Sequence, residues 1–165
     1  MSRLTRLVPA RAAFAATVGL TPSAAWAGNY WDDLAWQVRP LVLVGGEADA
    51  NAATWAERLE ADRCALLERR IHWLDIREDG TVVRRFDGSD TAGFEATRLD
   101  VQAAATVRER VGWSPGDEAR LVLFGLDGQE KYRGRPDSLD TIWSLIDRMP
   151  MRRDEVVREP DDCAG

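Results

Sequence analysis

The stretch from Ala119 to Glu155 constrains the chain more than any other, because it holds two β-rich runs, a turn and an amphipathic helix in immediate succession. Arg120 to Phe124 is β-branched and aromatic, and Gln129 to Arg133 is read as its return strand. Between them Asp127-Gly128 is the strongest short hairpin signal, since a two-residue turn needs positive φ and this pair tolerates it. Pro136 marks a helix start, and Leu139, Ile142, Trp143, Leu145, Ile146 and Met149 then recur at helical spacing until Pro150. A chain that ends strand, hairpin strand, covering helix needs earlier strands to pair with and a second layer to cover them.

The N-terminus does not supply those elements. Arg3, Arg6 and Arg11 precede an apolar run from Ala12 to Leu20, and Ala25-Trp26-Ala27 follows. A positive region, a short apolar core and an A-x-A site form a secretory signal peptide, assigned to residues 1–27. The run is shorter than the roughly 20 residues a permanent membrane helix needs. The expected product is exported, periplasmic or secreted, with no membrane insertion after signal removal.

Removing residues 1–27 of 165 leaves 138, a normal size for one domain with one core, assigned to residues 28–155 with a flexible acidic tail at 156–165. It also removes three arginines, taking the formal charge from −6 to −9. An acidic protein of this kind is a poor partner for nucleic acid, whose binding rests on neutralising phosphates. Lys131 is the chain's one lysine, a mild sign that its position needs an ammonium group.

The remaining elements follow in order. Tyr30, Trp31 and Trp36 suggest a short packed lead-in, and Leu41 to Val44 is the continuous apolar run of a strand buried on both faces. Asn51 to Arg69 is read as one helix capped by Asn51, with Ala52, Trp55, Ala56, Leu59, Leu66 and Leu67 on one side and Cys64 on the flank. Ile71 to Ile76 is the second strand, Thr81 to Phe86 a hairpin arm, and Thr97 to Val111 a helix closed by Gly112. This is an α/β arrangement, a mixed four- to five-stranded sheet with helices on both faces, in the element order of the thioredoxin fold.

Two motifs narrow the resemblance. Asp127-Gly128-x-x-Lys131, followed by Asp147-x-Met149-Pro150-Met151-Arg152-Arg153, resembles the domain-of-unknown-function 4174 family over about Leu34 to Glu155. That resemblance implies a thioredoxin-like, peroxiredoxin-related exported protein without an established activity.

Chemistry is sparse. A thioredoxin-type enzyme carries its nucleophilic cysteine where the first strand meets the first helix, so that the helix N-terminus lowers the thiol pKa. Here that junction, Gly45 to Asn51, has no cysteine. Cys64 and Cys163 fit one structural bridge or two unrelated thiols in an oxidising compartment, and with His72 alone they make no zinc set. Gly112-Trp113-Ser114-Pro115-Gly116 matches the hydrolase elbow, but Pro115 lacks the N–H that an oxyanion would need. Glu47, Asp49 and the other carboxylates read as solvated surface and turn residues.

The candidate binding residues are Asp127, Gly128, Lys131, Arg148, Arg152 and Arg153, where cations at a helix end either clamp an anion or offset the helix dipole. No metal and no cofactor is expected. The partner is an envelope protein or a small anionic ligand, and the function a non-catalytic binding or interaction module. A thiol-dependent oxidoreductase or peroxidase-like enzyme using Cys64 is the alternative.

Overall fold

The computed structural model describes residues 29–45, 49–88 and 95–158. Residues 1–27, expected to be a signal peptide, lie outside them, as do Glu47 and Cys163. The elements are α1 (Tyr30–Leu34), β1 (Arg39–Val44), α2 (Ala50–Ala61), α3 (Arg63–Glu68), β2 (Ile71–Ile76), β3 (Val82–Phe86), β4 (Thr97–Arg98), α4 (Val101–Val111), β5 (Arg120–Phe124), β6 (Glu130–Gly134), α5 (Leu139–Asp147) and α6 (Pro150–Arg158).

They build a mixed α/β structure on one six-stranded sheet in the order β4-β3-β2-β1-β5-β6. β1 and β2 are parallel, and every other neighbouring pair is antiparallel. The central strand β1 is buried along its whole length, as its unbroken apolar run requires. Its side chains alternate between two cores. Leu41 and Leu43 join Trp73, Leu121 and Leu123 beneath Trp55 and Leu59 of α2, Leu66 of α3, and Ile142 and Ile146 of α5. Val42 and Val44 join Leu74, Ile76, Val122 and Phe124 beneath Trp31 of α1 and Val107 and Val111 of α4.

Several boundaries differ from the sequence reading, each for a local reason. The sheet has six strands because Thr97 and Arg98, read as the start of a helix, pair instead with Arg84 and Val83. α4 starts later, where the Asp100 carboxylate accepts from the N–H groups of Gln102 and Ala103. The long helix expected from Asn51 to Arg69 breaks at Asp62, which caps α3 through Ala65 N–H, and its cap is Asp49 rather than Asn51. α5 starts after Ser138 rather than at Pro136, since the Ser138 hydroxyl accepts from Asp140 N–H. Pro150 opens α6 as well as following α5, and the helix passes residue 155 to reach Arg158. Between β5 and β6 the connection is five residues, 125–129, with Gly128 at φ 69°.

Candidate functional site

The turn between β5 and β6 and the junction between α5 and α6 face each other across a pocket of about 500 Å³. Leu126, Leu145, Met149, Pro150 and Met151 give it apolar walls, and Arg39, Asp127, Lys131 and Arg148 supply its charges. Concave, largely apolar space with a few placed polar groups is the usual form of a ligand site. Arg39 is matched by Glu155 and Lys131 by Asp127, which leaves Arg148 as the pocket cation with no carboxylate beside it among the described residues.

The charges are held differently. Lys131 Nζ donates to Asp127 Oδ2 at 2.7 Å, and Asp127 Oδ1 accepts from Gln129 N–H at 3.1 Å. Partial burial raises the Asp127 carboxyl, but these hydrogen bonds outweigh it and hold the group below its ordinary value. Arg39 is only 1% exposed, and both its Nη atoms donate to Glu155 at 3.0 Å, with Nη1 also reaching the Arg69 carbonyl at 2.9 Å. Arg148 is exposed, and among the described residues its guanidinium makes no hydrogen bond or ion pair.

Trp36 marks the same neighbourhood. Its N–H donates to the carbonyl of Leu126, a wall residue, at 2.7 Å. Its backbone stands at φ 65°, a conformation bulky residues rarely adopt, and its side chain is 65% exposed.

The structure gathers Asp127, Lys131 and Arg148 at the pocket and sets the other candidates elsewhere. Gly128 is buried in the turn, where it supplies the left-handed backbone. Arg152 departs from the expected surface role. It is 5% exposed and lies 3.8 Å from Asp147 and 3.9 Å from Glu155, so its charge is spent inside the α5–α6 junction. Arg153 is exposed and donates to the Arg148 carbonyl at 3.1 Å, satisfying a helix-end acceptor. Cys64 is exposed and disulfide-bonded, while Cys163 lies outside the described residues.

A family model described as Domain of unknown function (DUF4174) matches residues 31–155. The chain belongs to the DUF4174 family. No curated protein and no solved structure matches it. The DUF4174 match covers both walls of the pocket and the whole Arg39–Glu155 pair.

Two further polar groups of this DUF4174 chain sit inside the fold. Asp75 lines a second cavity of about 90 Å³ with Leu43, Ala52, Ala56 and Arg77. Burial pushes its carboxyl up to about 7, opposed by Arg85 at 3.7 Å and by the Trp73 indole N–H, which donates to it at 2.6 Å. His72 is buried, which lowers its pKa to about 4 and keeps the ring neutral. Its Nδ1–H can then only donate to the Asp87 carbonyl at 3.2 Å, leaving Nε2 to accept from the Tyr30 hydroxyl at 2.7 Å. This pair pins α1 to β2. An aspartate among the apolar residues of a strand, on the face of Ile71 and Trp73, was the signal available for Asp75.

The elbow-like motif is structural. Gly112 ends α4 at φ 64°, and Ser114 N–H donates to Asp117 within a turn. Among the described residues no group of three or more His, Cys, Asp or Glu is placed to hold a metal ion. Among the same residues no helix is long and apolar enough to cross a membrane.

Proposed function

We propose that this DUF4174 chain is an exported, thioredoxin-like binding module that captures a partner through the pocket between the β5–β6 turn and the α5–α6 junction. The observation that carries the reading is a 500 Å³ apolar pocket whose charged rim includes an uncommitted arginine, Arg148. The sheet core β2-β1-β5-β6, with β1 and β2 parallel and β5 and β6 antiparallel, supports a thioredoxin-like ancestry, and β3 and β4 extend it. The bonded state of Cys64 supports a non-catalytic role, because a sulfur already in a disulfide is no nucleophile. Its proposed partner is Cys163, in a compartment that sustains disulfides.

Site-specific photo-cross-linking in the exporting cell tests this. A cross-linker at position 148 should trap one defined species, one at the exposed Gln102 of α4 should not, and Met149→Trp, which fills the pocket, should abolish the product. Equal trapping at both positions, or peroxide turnover lost in Cys64→Ser, would count against the module.

A further inference from the structure

We infer that the pocket takes the C-terminal end of a partner polypeptide: a free α-carboxylate next to an apolar side chain. The inference rests on the module reading and adds the chemistry of the ligand.

The polar groups of the pocket are of two kinds, and a chain end needs both. Arg148 is a rim guanidinium with no partner among the described residues, free to grip a carboxylate. Lys131 is the second donor, and its ammonium keeps valence for another acceptor while bound to Asp127. Asp127 is the opposite. Held ionised at the rim, it repels a second carboxylate but accepts an N–H, and a peptide presents an N–H within one residue of its terminal carboxylate. A simple aliphatic acid has no N–H to offer. Arg39 does not compete for the ligand, since Glu155 fills its Nη donors and balances its charge.

The apolar part of the ligand follows from the walls. Leu126, Leu145, Met149 and Met151 enclose a volume suited to one or two side chains rather than a whole domain surface. Unbranched methionines adapt to several side-chain shapes, so the pocket selects an apolar terminal residue without demanding one type.

Calorimetry on the mature exported protein tests the inference with defined probes: acetyl-Gly-Ala-Leu-Leu with a free carboxylate, the same peptide as its amide, and octanoate. The acid peptide should bind at least tenfold more tightly than the amide, and Arg148→Gln should erase that preference without moving the thermal midpoint. Lys131→Gln should weaken the acid peptide as well, with the fold again intact. Equal binding of acid and amide overturns the inference, as does octanoate binding where the peptide does not, which would make the ligand a free amphiphile. Silent peptides beside a cross-link at position 148 that Met149→Trp abolishes would sink the ligand class alone. Silence in both experiments would sink the module reading with it.

Discussion

Arg39 and Glu155, 116 positions apart in the chain, meet through two parallel hydrogen bonds of 3.0 Å, Nη1 to Oε2 and Nη2 to Oε1. The arginine starts the central strand β1 and the glutamate lies on the last helix α6, so this fork closes the C-terminal segment onto the sheet. Asp147 accepts from Arg69 at 2.8 Å and lies 3.8 Å from Arg152, extending the ion cluster behind the pocket wall.

Removing one member of this buried pair strands the other. Glu155→Ala is expected to cost about 3 kcal/mol, within the range for breaking a buried ion pair from one side. Urea unfolding measures it, and a loss under about 1 kcal/mol, the scale of a surface pair, would show that α6 does not depend on this contact.

Arg152→Ala and Arg153→Ala should separate. Arg152 is buried between two carboxylates and Arg153 is exposed with a single backbone acceptor. The first variant should lower stability by about 2–3 kcal/mol and the second by less than about 0.5 kcal/mol. Equal effects in thermal unfolding would contradict the inward placement of Arg152.

Stability should carry a signature of two buried groups with opposite slopes. Asp75 titrates near 7 in the fold against an ordinary value of 3.8, so the native state holds the extra proton between them and stability falls as pH rises from about 4 to about 7. His72 titrates near 4 against 6.5, so the unfolded state holds the extra proton and stability rises from about 4 to about 6.5. The two nearly cancel in the wild type until the imidazole slope ends. Asp75→Asn removes one of them. That variant should gain stability steadily from pH 4 to 6.5, and at pH 8 exceed the wild type by on the order of 3 kcal/mol. Denaturant midpoints at pH 4, 6.5 and 8 provide the check, and parallel pH profiles for the two proteins would contradict it.

Gly45 and Gly128 both sit at positive φ but should tolerate alanine differently. A Cβ at Gly45 would stand 2.6 Å from Ala119 Cα, a backbone atom of the neighbouring segment, whereas one at Gly128 meets only Trp31 Nε1 at 3.6 Å. Gly128→Ala therefore carries the left-handed penalty alone, about 1 kcal/mol. Gly45→Ala adds a clash that the sheet cannot relieve and should cost several-fold more in thermal unfolding. Similar costs would show that the Gly45 approach relaxes.

Elements written as periodic apolar patterns are legible in the sequence. Leu41 to Val44 is unmistakable as a buried strand, and Ile142, Trp143 and Ile146 mark the buried face of α5. What escaped was set by distant partners or by too few residues. Arg39 precedes the apolar run of β1, and nothing near it in sequence announces Glu155. Thr97-Arg98 is too short to show a period, and the break at Asp62 is masked because the apolar residues of α2 and α3 continue on one side. At the site the cations were visible but their roles were not. Arg148 and Arg152 lie four apart in the sequence, yet Pro150 starts a new helix between them and turns one outward and the other inward.

The measurement that tests the central claim most directly uses the methionines, since two of the chain's three line the pocket. Protein with methyl-labelled methionine would be titrated with the free-acid tetrapeptide and followed by NMR. Saturable shifts of both Met149 and Met151, absent in Arg148→Gln, are the result the account expects. Methyl signals that stay fixed while the peptide is bound elsewhere, or that respond identically in wild type and Arg148→Gln, would contradict it.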